Sequence, residues 1–272
     1  MKISFSILTC IFMSFVAIAQ LPKGQSAHSS FSLGIVDHIQ SRILSEERTL
    51  NIYLPDGYFA DTVLAYPVIY LLDGSYNEDF VHITGIVQFL TMIGYMPETI
   101  IVGIANVDRK RDFTFPTSVA ADKKQTPQSG GSAKFIDFIE MELQPHVKSH
   151  YRVNNNSTLI GQSLGGLLAT ELLLKKTNLF GSYILVSPSL WWNDESLLAS
   201  IPSGQNLDAD HPSRVIVSVG AEGDQMEHDA KKFAEILEQK KVNVTFMPMA
   251  EETHLTILHN CIYKALVMVN KK

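Results

Sequence analysis

Residues 159–168 read LIGQSLGGLL, an apolar run broken by Gly161, Gln162, Ser163, Leu164, Gly165 and Gly166 and resumed at Leu167 and Leu168. Before the break, STLIG (157–161) has the β-branched and apolar character of a strand, and after it LGGLLATELLLKK (164–176) has the pattern of a helix. A chain that passes from strand to helix through G-x-S-x-G turns sharply, keeps its backbone close to its neighbours, and presents the serine hydroxyl instead of burying it. Such a corner belongs to an open α/β sheet, where ligands gather beyond the carboxyl ends of the strands.

The rest of the chain agrees. Strands are predicted at 48–55 (RTLNIYLP), 67–74 (PVIYLLDG), 99–105 (TIIVGIA), 182–188 (SYILVSP), 214–220 (RVIVSVG) and 242–249 (VNVTFMPM), besides 157–161. Several are continuous apolar runs, as strands covered on both faces of a parallel sheet are. Helical patterns at 135–147, 164–176, 229–241 and 255–269 alternate with them, which predicts a doubly wound, mostly parallel α/β sheet with helices on both faces. The 272-residue chain is 46% hydrophobic, enough for one domain around one sheet, expected at positions 20–272. The stretch 107–131 is polar, carries Pro and Gly, and is too long for a bare connection, so it is expected to be a functional loop or small cap.

The first residues, MKISFSILTCIFMSFVAIA, combine Lys2, an apolar stretch and a small-x-small ending at Ala17 and Ala19. This pattern predicts a secretory leader at 1–19 and a periplasmic or secreted mature protein without stable membrane association. The alternatives are weaker: the apolar stretch is short for an uncleaved anchor, and Cys10 lies too early, behind a bulky Thr9, for lipid attachment. Cleavage would leave Cys261 without a disulfide partner. No CxxC or HExxH spacing points to a metal, and no cofactor is expected. With 22 basic against 28 acidic residues and no basic block beyond RKR at 109–111, nucleic acid is not an expected partner.

A serine hydroxyl needs a base, and in this architecture the partners follow in the order Ser, acid, His. Of the histidines beyond Ser163, His211 precedes a strand, His228 precedes the last-but-one helix, and His259 lies inside the final one. His254, directly after VNVTFMPM, is the expected base. The acid is expected in AEGDQMEHD after RVIVSVG, as Glu222 or, alternatively, Asp224, with Asp229 read as a helix cap or first-turn charge. An oxyanion hole would use the Leu164 amide and that of Gly74 or Ser75 in LLDGSYN. Trp191 and Trp192 could pack against an acyl or aromatic group, or one of them could fill core. Arg109 and Arg111, beside Asp112, could hold an anionic substrate in bidentate fashion or pin their own loop by salt bridges.

These stretches, together with VIYLLDG, VGIANVDRKRDFTFPT, GGSAKFIDFIEMELQPHV with YRV, and LVSPSLWW, give the chain a resemblance to a family of serine esterases. That family includes enterochelin and bacillibactin esterases, feruloyl esterases, S-formylglutathione hydrolase and mycolyltransferases. The likeness runs from about ERTLNIYLP to the final helix and is nearest to the siderophore trilactone esterases, through the N-x-x-R-x-R-D segment at 106–112 and the paired glycines before a helix. It implies an α/β-hydrolase fold and hydrolysis of a small-molecule ester, a siderophore trilactone or another acyl ester, through an acyl-enzyme. Ser163 and His254 carry over as nucleophile and base. The acid does not, because the resemblance is to a branch that varies there and includes members working with Ser and His alone. Gln162 departs from the pattern, standing where His is common. Acyl transfer to an alcohol, and a catalytically silent binding protein on the same scaffold, are the competing readings.

Overall fold

The computed structural model describes residues 30–60, 62–201, 212 and 214–271. The expected leader, Cys10 and His211 lie outside them, and every described strand and helix belongs to the unit that runs from Leu33 onward.

Eight strands form one sheet in the order β1-β2-β4-β3-β5-β6-β7-β8. The first two, β1 (Ile35–Ser41) and β2 (Glu46–Tyr53), make an antiparallel hairpin, and β2 pairs antiparallel with β4 (Ile100–Ile104). All other pairings, among β4, β3 (Tyr66–Leu71), β5 (Val153–Gln162), β6 (Ser182–Val186), β7 (Arg214–Gly220) and β8 (Val244–Met249), are parallel. Every residue of β4 and β6 is buried, as their unbroken apolar sequences require.

Alternate residues of these strands feed two cores. Val68, Tyr70, Leu159, Tyr183, Leu185, Val215 and Val217 pack on one face, against α4 (Ser132–Phe138), α5 (Gln144–His150), α6 (Leu164–Lys175) and α8 (Asp224–Gln239). Ile69, Leu71, Ile160, Ile184, Val186 and Ile216 face the other way, against α1 (Phe80–Met92) and α9 (Ile257–Asn270). One π-helical turn, Ile139–Leu143, joins α4 to α5 just before Pro145, which has no N–H to continue the regular ladder.

Outside 107–131 three elements escape the sequence pattern: β1, α1 and the short helix α7 (Trp192–Ala199), whose Asn193, Asp194 and Glu195 have positive φ. The edge strand β1 buries only Ile39 and Ser41, so it lacks a two-face apolar run. In α1 the β-branched Val81, Ile83, Thr84, Ile86, Val87 and Thr91, with Gly85, read as strand, yet Phe80, Ile83, Thr84, Val87 and Leu90 recur at helical spacing and are buried. Packing there overrides local propensity. Residues 107–131 contain two short helices, α2 (Arg109–Asp112) and α3 (Ala120–Gln125). Among the described residues no helix is long and apolar enough to cross a membrane.

Candidate active site

Ser163 occupies the corner between β5 and α6 with φ 58° and ψ −119°, a conformation that costs energy for any residue with a side chain. Surrounding backbone holds it there: its N–H donates to Val186 O at 3.0 Å, and its C=O accepts from the amides of Leu167 at 2.9 Å and Ser189 at 3.1 Å. A Cβ at Gly161 would lie 2.4 Å from Gly165 O, so no other residue fits without moving the turn. At Gly165 the nearest atom would be 3.3 Å away, whereas at Gly166 a Cβ would meet Pro188 Cα at 2.8 Å. The strict requirement thus falls on Gly161 and Gly166, and the second flanking glycine of G-x-S-x-G is the less constrained of the pair.

Glu222, after β7, bonds through Oε2 to Nδ1 of His254, which follows β8. Its Oε1 accepts from Ser187 Oγ and from the Gly220 amide at 2.9 Å, and its side chain is only 3% exposed. Burial works to raise the Glu222 pKa, but the hydrogen bonds from His254, Ser187 and Gly220 outweigh it and hold the carboxyl below its usual range. Asp224 is the exposed first residue of α8, where a carboxylate complements the helix dipole. That geometry assigns the imidazole contact to Glu222 and leaves Asp224 a helix-end charge. Asp229 is neither cap nor first-turn charge: it lies in the second turn, 1% exposed, with no hydrogen-bond partner on either oxygen, and burial raises its pKa. His228 is exposed on α8, and His259 bonds to His82 of α1 at 2.9 Å, on the α1/α9 face.

Ser163, Ser189, Trp191, Ala221, Glu222, Met226, Thr253 and His254 line an open cleft of about 510 Å³. Ser189 Oγ is 3.4 Å from Ser163 Oγ. The sequence reading missed Ser187 and Ser189, although the S-P-S that follows β6 sits on the same strand-end edge as Ser163. It also missed Met226 and Thr253, which carry no chemical signature.

Of the two loop amides proposed for the oxyanion, Gly74 N–H already donates to Ile104 O at 3.0 Å and so is not available. Ser75 N–H donates to Glu78 Oε2 at 3.3 Å, a long contact to an exposed carboxylate that a developing oxyanion can replace. The Leu164 amide opens α6 and is one of those a helix leaves without an internal acceptor. Trp191 lines the cleft, but Trp192 does not serve it: it is 1% exposed, with Nε1 donating to Phe115 O at 2.9 Å, and fills core.

Both arginines have carboxylate partners within the chain. Arg109 grips Asp73 through Nε at 2.6 Å and Nη2 at 2.8 Å, and Nη2 reaches Gln162 O at 3.3 Å. Arg111 bonds Asp112 at 2.7 Å and Glu46 at 2.6 and 3.1 Å, while Asp112 also receives the fully buried Arg48 at 2.8 Å. Neither is among the residues that line the cleft. Of the two roles the sequence left open for them, this is the geometry of salt bridges that pin the loop.

A mostly parallel eight-stranded sheet flanked by helices, with a serine corner after β5, an acid after β7 and a histidine after β8, defines the α/β-hydrolase fold. Within that fold, residues 41–252 match the family described as "Putative esterase", and the chain belongs to that family and is an esterase. It is 29% identical over 250 residues to the ferri-bacillibactin esterase BesA of Bacillus subtilis, covering 82% of this chain and 85% of that one. Among solved structures it is similar to an IroE-like serine hydrolase from Shewanella oneidensis, with TM-score 0.74, 30% identity, and coverage of 88% of this chain and 80% of that one. It is also similar to the BES protein from Bacillus cereus, with TM-score 0.74, 26% identity, and coverage of 90% and 99%.

Proposed function

We propose that this esterase is a serine carboxylic-ester hydrolase that works through an acyl-enzyme. The observation that carries the reading is the bond from Glu222 to His254 Nδ1 in the cleft that Ser163 lines. Ser163 Oγ attacks the ester carbonyl while His254 Nε2 takes its proton, and the Leu164 and Ser75 amides receive the oxyanion. The C–O bond to the leaving alcohol breaks, and His254 returns the proton to that alcohol. Water then repeats the sequence on the acyl-enzyme, which releases the acid and restores Ser163. Glu222 fixes the imidazole tautomer and stabilises the transient cation.

The relatives' names supply the substrate reading: an ester of the siderophore trilactone type or a related acyl ester, with Trp191 and Met226 offering apolar walls to its acyl part. The leader-like start supports action in the periplasm or outside the cell. The test is turnover of p-nitrophenyl, feruloyl and catecholate trilactone esters by wild type and Ser163→Ala. Loss of the nucleophile should lower kcat by about a millionfold with the fold intact. Activity within about tenfold of wild type would remove Ser163 from the mechanism.

A further inference from the structure

Three segments meet at this site, carrying the proposed oxyanion donor (73–75), the proposed nucleophile (161–165) and the histidine (252–254). One residue touches the supports of all three. Gln162 ends β5 one position before the nucleophile, and its side-chain amide donates from Nε2 to the main-chain carbonyl of His254 at 2.6 Å. Its own carbonyl accepts from Arg109 Nη2 at 3.3 Å, and the same guanidinium holds both oxygens of Asp73, two residues before Ser75.

The geometry points to Gln162 as a positioning residue that sets the distance between His254 and Ser163. The Glu222 bond fixes how the imidazole is rotated, since it acts on Nδ1 alone. It leaves free how far the loop that bears the imidazole stands from the nucleophile. The Gln162 amide supplies that constraint by tying the histidine's backbone to the strand that ends in Ser163. Displacement of a catalytic group by about an ångström can cost about a hundredfold in rate, so a short hydrogen bond on this backbone is a kinetic device more than a stabilising one. A glutamate here would bring a carboxylate against a carbonyl, two acceptors with no proton between them. An imidazole retains an N–H that can reach across.

This assignment rests on the proposed roles of Ser163 and His254, and the experiment separates the two. Gln162→Met keeps length and shape without a donor, Gln162→Glu replaces the donor with an acceptor, and Gln162→His restores a donor. Steady-state kinetics on a p-nitrophenyl ester, thermal melts and labelling of Ser163 by a fluorophosphonate should be read together. Gln162→Met and Gln162→Glu should lower kcat by about 10- to 100-fold, with KM within about twofold, slower labelling and Tm within about 3 °C of wild type. Gln162→His should recover most of the loss. The positioning role is overturned if the Met and Glu variants keep kcat within about twofold, or if kcat and Tm fall together without recovery in Gln162→His. Wild-type turnover that survives Ser163→Ala would instead sink the esterase mechanism itself, whatever the Gln162 variants do.

Discussion

The corner that carries Ser163 and the loops that carry Glu222 and His254 sit side by side in one cleft but are held by different forces. At Ser163 the constraint is steric and lies in the backbone: a positive φ, main-chain hydrogen bonds, and glycines whose added Cβ would collide with backbone atoms. At His254 the constraint is polar and lies in side chains: Glu222 on the ring and Gln162 on the carbonyl, with Ser187 steadying Glu222. The first arrangement stores strain that the fold must sustain, and the second can be edited one hydrogen bond at a time. A side chain added at the corner glycines should therefore fail in folding, and a hydrogen bond removed at the loops should fail in rate.

The largest effect expected from a single hydrogen-bond edit is at Glu222. Glu222→Gln should lower kcat by up to about ten-thousandfold, because the amide favours the wrong imidazole tautomer, while Asp224→Asn should stay within about twofold. Comparable, mild losses in both would show that Ser163 and His254 work as a dyad. Gly161→Ala probes the other region. With Gly165 O 2.4 Å from the new Cβ, the turn must shift, and a stability loss of about 1–3 kcal/mol or more should appear in denaturant titration. Were Gly161→Ala to keep its stability and lose only rate, the contrast between the two regions would not hold.

That contrast also explains what the sequence made legible. The serine corner is encoded within six consecutive residues, because local sterics demand glycines at fixed spacing, and β4 and β6 announce themselves by burial on both faces. The choice between Glu222 and Asp224 was legible only as a preference for Glu222. It depends on where β7 ends relative to β8 and on Ser187, 35 residues away, which meets Glu222 only in the folded chain. Trp191 and Trp192 are adjacent letters with opposite environments, set by which residue lines the cleft and which indole reaches Phe115. Asp112 stands beside Arg111 in the sequence, but the other partners of the two arginines, Asp73 and Glu46, lie 36 and 65 residues away, which left substrate binding open beside a loop-pinning role.

The arginines offer the next test. If they served substrate, Arg111→Met would raise KM for an anionic ester by about tenfold and spare a neutral one. The ion pairs to Asp112 and Glu46 lead to a different expectation: KM values for succinyl and acetyl p-nitrophenyl esters that stay within about twofold of wild type, together with a lower Tm. Arg111 is about a third exposed, so the loss should be modest, roughly 1 kcal/mol, as for a partly solvated pair. A selective rise for the anionic ester would give the arginines back to the substrate.

The smallest effect belongs to Asp79, at the start of α1 behind the Ser75 loop. Burial, reinforced by the charges of Asp73 and Glu78, lifts its carboxyl to about 7, with Arg109 opposing. In the unfolded chain the same group titrates near about 4. Below that pH both states hold the proton and the site costs nothing. As pH rises from about 4 to about 7 the unfolded chain releases its proton while the folded protein retains it, so stability falls, and above about 7 the penalty is complete. Asp79→Asn removes the ionisable group and keeps its size. It should leave Tm unchanged near pH 4 and raise it near pH 8, with each kcal/mol recovered worth about 2–4 °C in a domain of this length. An equal Tm difference at both pH values would mean that the gain comes from packing or capping and not from ionisation. A lower Tm at pH 8 would mean that the charged form is the one this loop is built to hold, with Arg109 divided between Asp73 and Asp79.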